Sequence, residues 1–118
     1  ACPSYPFDLI DKVEKGAATP GPAYVHILSV CPTGWRCPTD LTIRMGRLAV
    51  ETGIFPLYEV ENGNYKLNFD FPQLRPVADY MKLQGRFRHL SEDLLDKIQR
   101  RVTADYAELK EKASADKK

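Results

Sequence analysis

Between the breaker run Thr19-Pro20-Gly21-Pro22 and the turn Cys31-Pro32-Thr33-Gly34 lies Tyr24-Val25-His26-Ile27-Leu28-Ser29-Val30-Cys31. No other stretch limits the possible folds as tightly. It is short, rich in β-branched and apolar side chains, and bounded on both sides by residues that interrupt regular structure. Alternation sends Tyr24, His26, Leu28 and Val30 to one face and Val25, Ile27, Ser29 and Cys31 to the other, so the pattern predicts a strand buried on both faces. Strands of that kind belong to sheets covered by helices, which makes the expected class α/β. In open α/β sheets ligands sit beyond the carboxyl ends of the strands. Cys31 falls at such an end, with Pro32 and Gly34 shaping the turn, where a thiol is placed to touch a cofactor.

The flanking segments support this class. Tyr5 to Glu14 is predicted helical, with Ser4 or Tyr5 as cap, Pro6 in the first turn, Asp8 at the positive end of the dipole, and Gly16 as the stop. Leu9, Ile10 and Val13 form its apolar face. Helix, linker and strand make half of a βαβ unit, so a further strand is expected upstream of Ala1. A second helix is predicted from Thr39 or Asp40 to Thr52, closed by Gly53, with Leu41, Met45, Leu48, Ala49 and Thr52 on one stripe. Gly46 inside it costs about 1 kcal/mol relative to Ala and is expected to mark a close packing contact.

Asn62-Gly63 between Phe55–Val60 and Tyr65–Phe69 is a strong hairpin signal. Pro56 keeps the first of these strands at an edge or at its opening positions. A short amphipathic turn follows at Val77, Tyr80 and Met81. Ser91 is expected to cap a long helix carrying Leu95, Ile98, Val102, Tyr106 and Leu109, and the charged tail from Lys110 to Lys118 is expected to fray.

The 118 residues suit one domain, and 43% hydrophobic content excludes a disordered chain. A net charge of +1 favours neither nucleic acid nor membrane. Aromatic and basic residues form no stripe of the kind that binds nucleic acid. The apolar runs are far too short to span a bilayer and no signal-peptide pattern opens the chain, so the expected location is cytoplasmic. The opening Ala1-Cys2-Pro3 lacks an initiator Met and reads as the start of the carboxyl-terminal piece of something longer.

Cys2, Cys31 and Cys37 are too few for a disulfide framework and contain no Cys-x-x-Cys. A zinc site or a cubane iron–sulfur cluster needs four ligands, more than this chain can supply alone. Cys31 has two readings: a buried thiol acting as a small hydrophobe, or a ligand or redox group. Cys2 and Cys37 are read as incidental, His26 as a hydrogen-bonded core histidine, and Trp35 as a packing residue or cofactor shield. Arg86, Arg88 and His89 are read as solvated surface charge, or as a patch attracting an acidic partner. No Gly-x-Ser-x-Gly, phosphate-binding glycine loop, His-Glu-x-x-His or Gly-Asp-Gly is present.

Tyr24-Val25-His26-Ile27-Leu28 leading into Cys31-Pro32-Thr33-Gly34-Trp35 resembles the carboxyl-terminal region of the beta subunits of 2-oxoacid:ferredoxin oxidoreductases such as pyruvate synthase. The likeness continues through Gly46-Arg47-Leu48-Ala49-Val50-Glu51-Thr52-Gly53, Pro56-Leu57-Tyr58-Glu59 and Leu83-Gln84-Gly85-Arg86-Phe87-Arg88-His89-Leu90, and Tyr5-Pro6 through Val13 matches the helix before the strand. Val30 departs from the family, which often has proline there, and Cys37 stands where another residue type is usual.

The resemblance implies the end of a doubly wound thiamine-diphosphate-binding domain: residues 1–53 close the α/β core, and 54–118 add a hairpin and a helical extension. It implies thiamine diphosphate with Mg2+ and a proximal [4Fe-4S] cluster, with Cys31 matching the fourth cysteine ligand. The remaining ligands and the diphosphate- and metal-binding residues fall outside this chain, which is therefore not expected to be active alone. The implied reaction is oxidative decarboxylation of a 2-oxoacid, pyruvate above all, to acyl-CoA and CO2, with electrons passed to ferredoxin. The implied partners are the rest of the beta subunit, the other subunits of the complex, ferredoxin, the 2-oxoacid and coenzyme A. The competing reading is a small α/β protein-interaction module with no chemistry, docking through its basic helical end.

Overall fold

The computed structural model describes residues 1–115. Helix α1 spans Pro6–Ala18, a single turn α2 spans Pro32–Trp35, and α3 spans Thr42–Glu51 behind a 3-10 turn at Thr39–Leu41. Strands β1 (Tyr58–Glu61) and β2 (Asn64–Leu67) follow, then α4 (Val77–Met81), a 3-10 turn at Gly85–Phe87 and α5 (Glu92–Ala115).

The core gathers on α3. Met45, Leu48 and Ala49 face Val77, Tyr80 and Met81 of α4, Leu95 of α5, and Cys37. On the neighbouring side Val50 packs with Cys2 and Leu57. Gly46 is a close contact, as expected: a Cβ there would run into Ser4 and lie 3.0 Å from the Cys2 sulfur.

The hairpin is antiparallel, pairing Tyr58 with Leu67 and Glu61 with Asn64. Asn62 (φ 52°) and Gly63 (φ 84°) both take positive φ, the two-residue turn whose twist matches the flanking strands. The first strand begins at Tyr58 rather than Phe55; Pro56 has no N–H to give, while the buried Leu57 still accepts the Asn68 N–H through its carbonyl at 2.8 Å. It stops at Leu67, short of Phe69.

Helix α5 then binds the pieces together. Ser91 Oγ accepts the Leu94 N–H at 3.3 Å, the cap expected from the sequence. Gln99 Oε1 accepts the first N–H of α4, that of Val77, at 2.8 Å. The Tyr106 hydroxyl accepts from the Phe71 N–H and donates to the Phe69 carbonyl, both at 3.2 Å.

Three local expectations are corrected. Gly16 does not end α1, which continues to Ala18. Ala17 and Ala18 are the best helix formers, and Pro20 restricts Thr19 to extended backbone. Tyr5 holds the cap position of α1, but its side chain makes no cap bond. The tail does not fray from Lys110: α5 remains helical to Ala115, held by pairs such as Lys112–Glu108 and by Lys110–Asp70 at 2.7 Å. Residues 116–118 lie outside the described residues.

The largest correction concerns residues 24–31. They are extended but join no sheet ladder, and the sheet among the described residues is the β1–β2 pair. Leu28 and Val30 turn toward the core, whereas Tyr24 is 86% and Ile27 44% exposed. A strand covered on both faces needs neighbours that the described residues do not provide. One fragment of pairing is present. The Ala1 nitrogen donates to His26 O at 2.7 Å, and the Leu28 N–H donates to Ala1 O at 2.9 Å. These two bonds tie Ala1 alongside Ile27 without forming a strand.

Candidate functional site: the Cys31 turn

Cys31 ends the extended segment in a β conformation and caps α2, with Pro32 in the first helical position where its missing N–H costs nothing. The Gly34 N–H points back to the Cys31 sulfur at 3.4 Å, and a Cβ on Gly34 would sit 3.2 Å from that sulfur. The turn closes through Trp35 N–H to Cys31 O at 2.9 Å and Cys37 N–H to Pro32 O at 3.1 Å. Arg36 takes the left-handed conformation (φ 54°) to end it. The thiols fall into two groups: Cys31 is exposed, while Cys2 and Cys37 are buried. Burial makes the incidental reading of Cys2 and Cys37 a packing role, with Cys37 inside the main core.

A second turn backs this one. Gly85 donates its N–H to Arg36 O at 3.0 Å, and a Cβ on Gly85 would meet Arg36 Cβ at 2.8 Å and its carbonyl oxygen at 3.0 Å. Gln84, 1% exposed, donates from Nε2 to Tyr80 O at 3.0 Å and accepts the Arg86 Nε–H at 2.8 Å. The Arg86 guanidinium lies 4.3 Å from the Trp35 ring centre and 4.6 Å from that of Phe87. Trp35 also meets Tyr80 edge-on at 6.1 Å. Burial pushes the Tyr80 phenol above its usual range, with Gln84 and Arg86 pulling the other way.

The basic cluster read from the sequence is thereby divided. Arg86 is half-buried against aromatic faces, while Arg88 and His89 stay exposed. Lys82 pairs with Glu92 at 2.9 Å. His26 is not a core histidine. It is exposed, with its ring edge-on to Phe55 at 5.1 Å, because residues 24–31 lack cover on that side. The sequence reading missed Gln84 as a structural hub; its signal was a long polar side chain beside Gly85, between two apolar stretches.

Among the described residues no group of three or more His, Cys, Asp or Glu could hold a metal ion. A four-thiolate cluster needs more thiolates than the described residues bring together, and Cys31 is the exposed cysteine among them. A hollow of about 180 Å3 beside the second turn, lined in part by Met81, Phe87, Leu90 and Leu95, is smaller than most small-molecule sites, which run from roughly 300 Å3. No helix among the described residues is long and apolar enough to cross a membrane.

No family model matches the chain. Individual proteins do. It is 46% identical over 102 residues to pyruvate synthase subunit PorB of Methanocaldococcus jannaschii, a match covering 86% of this chain and 34% of that protein. It is 42% identical over 112 residues to ketoisovalerate oxidoreductase subunit VorB of Pyrococcus abyssi, covering 93% and 36%. With PorB of Methanothermobacter thermautotrophicus the identity is 44% over 107 residues, covering 91% and 37%. The chain thus spans about a third of the length of these relatives. By sequence it belongs to the PorB and VorB family, the beta subunits of 2-oxoacid:ferredoxin oxidoreductases.

Proposed function

We propose that this chain works within a 2-oxoacid:ferredoxin oxidoreductase, with pyruvate the first substrate to test. The observation that carries this is identity above 40% to PorB and VorB across most of the chain. In this reading residues 1–53 close a doubly wound thiamine-diphosphate domain and residues 54–118 extend it. Its partners are the remainder of the beta subunit, the other subunits, ferredoxin, the 2-oxoacid and coenzyme A. When bound, thiamine diphosphate with Mg2+ supplies the carbanion stabilisation that releases CO2, and a [4Fe-4S] cluster supplies one-electron transfer toward ferredoxin.

The part of this chain is to present the Cys31 thiolate as one cluster ligand. The exposure of Cys31 and the Gly34 N–H bond to its sulfur support this role. Pro32 and the αL residue Arg36 hold the turn that presents the sulfur. Cys37 is buried in the core and is given a packing role.

The test is anaerobic reduction of ferredoxin by the complex containing this chain, with coenzyme A and either pyruvate or 2-ketoisovalerate. Reduction that requires both the 2-oxoacid and coenzyme A supports the reading. A fully assembled, cofactor-loaded complex inert toward every 2-oxoacid offered would contradict it.

A further inference from the structure

We propose that the extended segment 24–30 is an open sheet edge that takes up a β-strand from the part of its own subunit lying outside this chain, paired through the backbone of Val25, Ile27 and Ser29. The proposal names a contact surface for the remainder of the beta subunit, and it rests on the reading above that this chain works together with that remainder.

The backbone bonds use one side of the segment and leave the other unused. Ala1 donates to the His26 carbonyl at 2.7 Å and accepts the Leu28 N–H at 2.9 Å, so the groups flanking Ile27 point toward it. In extended backbone the polar groups of successive residues point to opposite edges, which sends those of Val25, Ile27 and Ser29 away from Ala1. None of these three has a backbone hydrogen bond among the described residues. Proteins normally blunt such an edge with charge or proline, yet residues 24–31 contain no Lys, Arg, Asp, Glu or Pro. An unblunted edge of β-branched and apolar residues is a template for strand addition.

Helix α1 gives a second, independent sign that this side of the protein is built to be covered. It turns its Lys12–Asp8 ion pair inward, the two side chains being 8% and 5% exposed, while Phe7, Ile10 and Val13 stand exposed. A helix whose outer face meets water carries its charges there and its apolar residues inside. Helix and segment are neighbours: a Cβ on Gly16 would lie 3.5 Å from Ala23 Cβ and 3.7 Å from Val25 Cγ2. Tyr24 and Ile27 add to the exposed apolar surface. The occupant that fits is the same subunit. The matched relatives run about two-thirds of their length beyond the aligned part, and pairing along 25–29 needs a strand of only about five or six residues.

The experiment is hydrogen–deuterium exchange, resolved to single amides, on the assembled complex with its full-length beta subunit. Photocrosslinking from a benzophenone amino acid in place of Tyr24, in the same complex, identifies the occupant. The proposal predicts that the Val25, Ile27 and Ser29 amides exchange at least roughly 100-fold more slowly than unpaired amides. It also predicts a crosslink to the same subunit, outside this chain. Exchange at the unpaired rate at these three positions overturns the proposal. So does a crosslink to a second copy of this chain or to another subunit, or the absence of any crosslink. Failure of the oxidoreductase reading is distinguishable, because it shows as an assembled, cofactor-loaded complex inert toward 2-oxoacids, whatever the exchange pattern.

Discussion

Gly85 approaches Arg36 so closely that no side chain fits between them: its N–H meets the Arg36 carbonyl at 3.0 Å, and an added Cβ would come within 2.8 Å of Arg36 Cβ. This contact joins the Cys31 turn to the Gly85–Phe87 turn. Gly85→Ala is expected to destabilise the protein by about 1–3 kcal/mol, because backbone, and not only a flexible side-chain end, must yield. A denaturant midpoint equal to the parent's would show that the two turns are not held this way.

Tyr106→Phe is expected to cost about 1–3 kcal/mol. The substitution keeps the ring but leaves the Phe71 N–H and Phe69 carbonyl without their shared partner. Thermal unfolding of the variant checks this, and an unshifted transition would mean that water replaces the hydroxyl at no cost.

Glu59 gives a pH dependence of definite sign. Burial pushes its carboxyl up, but the ammonium groups of Lys15 and Lys66, at 2.8 and 2.9 Å, outweigh burial and hold it below its usual range. A depressed carboxylate stabilises the fold above its unfolded pKa, and that contribution is lost as pH falls through the folded value. Both lysines are largely exposed, so screening keeps the effect below about 1 kcal/mol. Stability of Glu59→Gln should therefore trail the parent at neutral pH and converge with it in acid. A gap that widens on acidification would reverse the assignment.

Much of this fold was legible because the signals were local. Asn62-Gly63 announced its turn, Ser91 its cap, Gly46 its close contact, and the stripe through Met45 and Leu48 the helix that carries the core. Residues 24–31 were misread for a non-local reason. Their composition describes an environment with sheet neighbours and covering helices, while the described chain offers two backbone hydrogen bonds with Ala1. His26 was misplaced with them. The Cys31 turn could be located from Pro32 and Gly34, but its backing could not. That support arrives from Gln84, Gly85 and Arg86, about fifty positions away, and separation of that kind leaves no local pattern to read.

The proposed ligand is the exposed thiol of Cys31 and not the buried thiol of Cys37. The direct measurement is the iron content of the assembled, anaerobically purified complex carrying Cys31→Ala or Cys37→Ala. Cys37→Ala empties a small part of a packed core, costs about 1 kcal/mol, and should keep the parent's iron. Cys31→Ala is predicted to lose cluster iron and electron transfer to ferredoxin while the fold persists. Full iron retention by Cys31→Ala, or equal loss from both variants, would contradict the assignment.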